Sequence, residues 1–278
     1  MGINWASAYE AGLSSSTTVA PAPTAAPAIH AQVVTTTSAA PATTSAAGIL
    51  SDIGSDIGSD VAALFDGLVG LANDLTEFGQ ATSGSGSNVG AIGNIGNPQG
   101  SNMIKVASTE GQQFTNTFIN TSPAPLTVAI WNKAFDGPNG VEANLGSAVA
   151  PKTPALTFAL APGASQIVAF QANTQIGFSQ AVAATAESGA FATSWGEVNF
   201  SPTGSGYDLS AIMNPQGNNY DMAISSKEAE CISDMTQNYW YAANNNPEDP
   251  QPVGNSDGSC YVYGSSATLT TKMGGTVS

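Results

Sequence analysis

The chain has 278 residues with 20 acidic and 5 basic side chains, a net charge of −15, and only 9% charged residues, against roughly 25% in an ordinary globular protein. All five cations are lysines and there is no arginine. This balance excludes nucleic-acid binding and anionic-membrane binding, both of which need a basic patch to neutralise phosphates or headgroups.

The single histidine, His30, lies in a low-complexity tract, which excludes a Ser-His-Asp or Cys-His pair and a histidine zinc site elsewhere in the chain. Cys231 and Cys260 fit no metal or redox motif. They either close one loop by a disulfide, worth roughly 3–4 kcal/mol in the chain-entropy model, or remain two buried thiols. No apolar run reaches the ~20 residues that span a bilayer, so no membrane insertion is expected. Residues 1–12 lack the basic start and apolar core of a signal peptide; a secreted form of this chain is expected to be one whose leader has been removed. No cofactor is implied.

In chain order, residues 1–48 form a low-complexity region that becomes almost purely Ser, Thr, Ala and Pro from Leu13. It holds too little apolar surface to offset its ordering entropy and is expected to be disordered, either as an O-glycosylated stalk or as a plain linker. Residues 49–80 carry a helical stripe, with Ile49, Ile53, Ile57 and Val61 four apart and Leu64, Phe65, Leu68, Leu71, Leu75 and Phe78 continuing it. Repeated glycines weaken the first half, so the helix is expected mainly over 59–78. Residues 81–90 read as a flexible linker. The remainder, 91–278, is long enough for one domain with a real core.

Strands are expected over 102–106, 114–120, 127–132, 155–160, 165–172, 175–183, 191–200, 207–213, 220–224 and 267–273. Turn chemistry separates them at Asp136-Gly-Pro-Asn-Gly140, Ala161-Pro-Gly163 and Asn214-Pro-Gln-Gly217. Many short strands at this spacing indicate an all-β sandwich or barrel. The segment 227–259, rich in Asn, Pro and Asp, reads as an irregular loop region stapled by the cysteines.

The hairpin around residues 191–212 holds the chemistry. Along 191–200 one face carries Phe191, Thr193, Trp195, Glu197 and Asn199, and the other, with Val198 and Phe200, reads as the core side. A turn over 201–206 that pairs Asn199 with Asp208 places Glu197 diagonal to Asp208, about 7–8 Å away. That separation matches the roughly 6.5–9.5 Å of inverting glycosidases, and Trp195 beside the acids offers a ring on which a sugar stacks. The plain alternative is an isolated Glu and Asp on a solvated face. Trp131 reads as core. The Tyr239-Trp240-Tyr241 cluster is either an exposed contact surface or packing under the disulfide loop. Asp234, Glu248, Asp249 and Asp257 are oxygen donors without EF-hand spacing, and no metal is assigned. Asn120-Thr-Ser is a usable N-glycosylation sequon, and Asn199-Phe-Ser, followed by Pro202, is a weaker one.

Several runs, in order, resemble the secreted fungal allergen family of the Asp f four type: Gly93-Asn-Ile-Gly-Asn-Pro-Gln-Gly-Ser-Asn-Met-Ile-Lys-Val106, Leu126-Thr-Val-Ala-Ile-Trp-Asn-Lys133, Leu160-Ala-Pro-Gly-Ala-Ser-Gln-Ile-Val-Ala-Phe170, Thr193-Ser-Trp-Gly-Glu-Val-Asn-Phe200 and Tyr207-Asp-Leu-Ser-Ala-Ile212. The resemblance implies a fungal source and an extracellular or cell-wall location, with no agreed activity. Leu160 to Gln166, Trp195 to Phe200 and Tyr207 to Ser210 are more distantly similar to thaumatin-like proteins. These are β-sandwiches whose acidic cleft binds, and in some members slowly cleaves, β-1,3-glucan. That likeness implies a thaumatin-like antiparallel β-sandwich with Glu197 and Asp208 in the cleft. The cleft's usual arginine is missing, and a further acid expected five positions after Asp208 is Met213. Binding survives such losses more readily than hydrolysis. The expected function is therefore wall-polysaccharide (β-glucan) binding through Trp195, Glu197, Asn199 and Asp208. The alternatives are a weak inverting β-1,3-glucanase using Glu197 and Asp208, and a host-protein effector or wall-structural protein without a sugar site.

Overall fold

The computed structural model describes residues 75–83, 92–254 and 257–277. The low-complexity region 1–48, residues 49–74 of the expected helical segment and residues 84–90 of the expected linker lie outside these. Residues 75–78 are irregular.

The regular structure of the described residues is almost all strand. In order these are β1 (Met103–Val106), β2 (Phe114–Asn120), β3 (Leu126–Asn132), β4 (Phe135–Gly137), β5 (Gly140–Glu142), β6 (Leu156–Leu160), β7 (Ser165–Phe170) and β8 (Thr174–Gln180). They continue as β9 (Trp195–Phe200), β10 (Ser205–Ala211), β11 (Tyr220–Ser226), β12 (Ile232–Asp234), β13 (Tyr239–Ala242), β14 (Pro250–Val253), β15 (Cys260–Val262) and β16 (Ala267–Thr276). One five-residue helix, Leu145–Val149, interrupts them.

A six-stranded sheet, β1-β7-β2-β16-β11-β12, packs against an eight-stranded one, β14-β13-β10-β9-β8-β3-β6, in which β15 also pairs with β10. Pairing is antiparallel except for β2 with β16 and β10 with β13, which run parallel. The chain from 227 to 259, expected to be irregular, contributes β12, β13 and β14. The Tyr-Trp-Tyr run of β13 has strand-forming side chains and adds to the edge that β10 leaves open, and β14, with Pro250 and Pro252, closes the sheet as an edge strand, where proline is tolerated.

Period-two alternation builds the core. Phe114 and Phe118 of β2, Val128 and Ile130 of β3, Ile176 and Phe178 of β8, Val198 and Phe200 of β9, and Tyr207 and Leu209 of β10 all point into it and are buried. Phe118 meets Phe178 edge-on at 4.9 Å, and Phe170 stacks on Phe200 at 4.7 Å. Gly196 is required here: a Cβ on it would lie 2.1 Å from the Phe178 ring.

The Gly93–Val106 run is explained by a buried amide network. Asn102 Nδ2 donates to Asn94 O, Asn132 Oδ1 and Thr174 Oγ1 at 2.8, 2.7 and 3.1 Å, and Asn132 Nδ2 returns a bond to Asn102 Oδ1 at 3.0 Å. Asn94 Oδ1 accepts from the backbone of Thr82 and Gly96. Residues 79–83 are thereby tied to the domain, helped by Gly79 N donating to Ser101 O at 2.9 Å.

Cys231 and Cys260 form a disulfide. Cys231 precedes β12 and Cys260 opens β15, so the bond links the two sheets. Tyr207 Oη donates to Cys231 O beside it.

Candidate acidic site on the eight-stranded sheet

The hairpin β9–β10 sets the geometry. Its register pairs Asn199 with Gly206, Glu197 with Asp208 and Trp195 with Ser210. Only residues 201–204 form the loop, where the sequence suggests six residues, because Ser205 and Gly206 are still in the strand. Asp208 therefore faces Glu197 and not Asn199. Directly opposed residues have Cβ atoms about 4.5–5.5 Å apart, which removes the diagonal spacing on which an inverting assignment rests. Trp195, Glu197, Asn199 and Asp208 do share one face, the outer one, while Val198, Phe200, Tyr207 and Leu209 fill the core.

That face is closed. Trp195 is 5%, Glu197 5%, Asn199 1% and Asp208 0% exposed. Trp195 belongs to a second apolar cluster with Ala129, Trp131 and Phe191. It meets Trp131 edge-on at 5.3 Å and donates its Nε1 hydrogen to Phe191 O at 2.9 Å. The ring read from the sequence as a sugar platform is thus packed against protein on its faces. Trp131 can cover this part of the sheet because residue 177 is glycine: a Cβ there would sit 2.6 Å from the indole.

Two groups absent from the sequence expectation complete the cluster. Lys133, just past β3, pairs its ammonium with Glu197 Oε1 at 2.5 Å. Ser259, next to Cys260, places Oγ 3.0 Å from Asp208 Oδ2 and 3.0 Å from the backbone carbonyl of Asp257. A hydroxyl carries one proton and a carbonyl only accepts. The Ser259 hydroxyl is thus the donor toward both Asp208 Oδ2 and Asp257 O. Burial first, then the Glu197 carboxylate opposite, push Asp208 well above the usual carboxylate range, against the opposing pull of Lys133 and Ser259. Asp208 Oδ1 has no hydrogen-bond partner among the described residues. A carboxylic acid beside a lysine-paired carboxylate is a combination that can hold or move a proton, but Asp208 has no exposed surface.

Trp240 stands on the same face, since it pairs with Ser210, and is 4% exposed. The Tyr239-Trp240-Tyr241 run is therefore split: the indole is packed, whereas Tyr241 is 37% exposed. Asp234 turns its carboxylate onto Thr236 and Gln237 of its own turn. No group of three or more His, Cys, Asp or Glu suited to a metal occurs among the described residues.

Asn120 is fully buried, with Nδ2 donating to Ala124 O at 2.8 Å and Leu160 O at 2.9 Å. That nitrogen is engaged by two carbonyls in this fold, and Asn199 is buried as well. Peptide mass spectrometry of the protein secreted from a fungal host is expected to find Asn120 unmodified. Asn120→Ala is expected to lose about 1–3 kcal/mol by orphaning the two carbonyls; a glycan on Asn120 of folded protein would contradict this packing.

Residues 101–273 match the family model described as the Allergen Asp f 4-like domain. The chain belongs to the Asp f 4-like allergen family. It is 33% identical over 144 residues to Allergen Asp f 4 of Aspergillus fumigatus, a match covering 49% of this chain and 42% of that protein, so it spans less than half of the relative's length. Two solved structures overlay on 57% of the chain and 97% of their own: the thaumatin-like xylanase inhibitor TLXI, at 12% identity and a TM-score of 0.29, and the protein elicitor MoHrip2 from Magnaporthe oryzae, at 10% and 0.33. No helix among the described residues is long and apolar enough to cross a membrane.

Proposed function

We propose that this family member is a secreted fungal cell-surface or cell-wall protein, a sandwich of the thaumatin-like kind, that binds wall polysaccharide of the β-glucan class without hydrolysing it. The observation that carries the reading is the charged cluster on the outer face of the eight-stranded sheet. Burying Lys133, Glu197 and Asp208 together is expensive, and well-packed apolar residues of the same volume would be as stable or more so. Groups that break the rules of a stable sheet in this way mark functional positions. Within the cluster, side-chain exposure remains only at Lys133 (10%) and Glu197 (7%), so these two are the groups that meet a ligand. Asp208, fully sealed, does not reach a glycosidic oxygen.

The test is retention on insoluble β-1,3-glucan. The folded wild type is expected to be retained, and the double variant Lys133→Gln/Glu197→Gln to be retained at least about tenfold less, a loss of ~1.4 kcal/mol. Neither is expected to release reducing sugar. Equal retention of both would remove the cluster from the reading, and absence of wild-type retention would remove glucan. Sugar release abolished by Glu197→Gln would make the protein a hydrolase.

A further inference from the structure

A cavity of about 460 Å³ lies away from the acidic face, where residues 78–82, the approach to β2 at 111–113 and the β7–β8 turn at 170–173 meet. Its volume falls in the range of ordinary ligand sites, about 300–1,000 Å³. Its lining holds two phenylalanines, Phe78 and Phe170, with Thr82, Gln112, Gln171 and Asn173, and no ionisable side chain among the described lining residues.

The wall is rigidly held. Gln171 accepts from Asn94 Nδ2 at 2.9 Å and donates to Gly79 O at 2.9 Å. Thr82 donates its backbone N–H to Asn94 Oδ1 at 2.9 Å and accepts from Ile95 N at 2.9 Å. Gln80 and Asn97 exchange backbone bonds of 3.1 and 2.8 Å. Such fixing lowers the ordering cost of binding. The side-chain amides of Gln112 and Asn173, by contrast, make no hydrogen bond among the described residues, leaving donors and acceptors for a guest.

The chemistry narrows the guest. An anion finds no cation in the lining and an overall charge of −15, and a cation finds no carboxylate. A purely apolar ligand would leave the amides unmatched, at a cost of about 1–3 kcal/mol for each group desolvated. A neutral polyhydroxylated ligand fits, its hydroxyls on the amides and its apolar ring face on Phe78. We propose that this cleft is a saccharide-binding site for neutral glycans, separate from the acidic cluster.

The test is a titration of isotopically labelled full-length protein with neutral oligosaccharides of β-1,3-linked glucose, of N-acetylglucosamine and of mannose, followed by amide NMR. At least one is expected to shift the resonances of Gly111, Gln112, Gln113 and Ala172. Gln112→Ala is expected to weaken that ligand about tenfold, whereas Tyr263→Ala, at a 92% exposed residue outside both sites, leaves the affinity unchanged. Phe78→Ala provides a second variant at the opposite wall. Absence of shifts at these residues with all three sugars, or affinity unmoved by both cleft variants, would overturn the proposal. The shifts are read at cleft residues and glucan retention at Lys133 and Glu197, so failure here leaves the acidic-face reading standing, and the reverse also holds.

Discussion

Replacing Lys133 with methionine is expected to destabilise the protein by about 3–5 kcal/mol, measured by urea unfolding at neutral pH, because it leaves Glu197 buried and uncompensated. Glu197 lies directly opposite Asp208, so the orphaned carboxylate has only another carboxyl group beside it. The reverse variant, Glu197→Gln, takes the carboxylate away from the Lys133 ammonium and is expected to lose stability as well. The double variant Lys133→Met/Glu197→Gln removes both charges and is expected to recover most of the deficit. The resulting interaction energy, well above the few tenths of a kcal/mol seen for independent sites, distinguishes a buried pair from a surface one. A loss within about 1 kcal/mol for the single variant would mean that the pair is solvated.

Asp208→Asn is expected to stabilise the protein at pH 8 by about 1–3 kcal/mol, since it replaces a buried acid with a neutral group of the same shape whose amide donates toward Glu197. It also changes the pH profile. Asp208 has its folded pKa raised above the ordinary 3.8 by burial and by Glu197. The folded chain therefore keeps a proton that the unfolded chain releases, and this contribution to stability is lost as pH rises above about 4. The slope is about 1.4 kcal/mol per pH unit until the folded pKa is passed.

Other shifted groups act outside this window. Glu228 and Asp234, where burial is outweighed by hydrogen bonds from Thr268 and Ser226 and from Thr236 and Gln237, sit below their ordinary 4.5 and 3.8, so their stabilisation is lost in acid. Tyr207, pushed up to about 12 by burial, and Tyr220, raised by burial, act only above pH 10. Asp208→Asn is therefore expected to flatten the fall in thermal stability as pH rises above about 4, and a slope unchanged from wild type would contradict the assignment.

Much of the sandwich was legible in the sequence because alternation is a local signal. Val198, Phe200, Tyr207 and Leu209 announce the core side of the hairpin, and Trp195, Glu197 and Asn199 the other. The register was not legible. Gly204-Ser205-Gly206 has the composition of a turn, yet Gly206 is in the strand because Tyr261 of β15 lies across it, its ring 3.5 Å from where a Cβ would be. Nor was closure of the face legible, since the covering groups are remote: Ser259 is 51 residues beyond Asp208 and Lys133 is 64 before Glu197. One signal did point to Lys133. In a chain with five lysines and no arginine, a buried carboxylate has few cations to draw on, and Lys133 directly follows the core strand β3. The strands within 227–259 were hidden by their Asn, Pro and Asp content, which dominates composition although β13 itself is Tyr-Trp-Tyr-Ala.

The central claim is that Lys133, Glu197 and Asp208 form one buried cluster, open only at Lys133 and Glu197, in which Asp208 keeps its proton. The carboxyl carbon resonance of Asp208, assigned through Asp208→Asn and followed by NMR from pH 3 to 8, tests it most directly. The account predicts a chemical shift typical of the acid form that does not move through pH 4. A midpoint near pH 4, with the carboxylate shift at neutral pH, would contradict it.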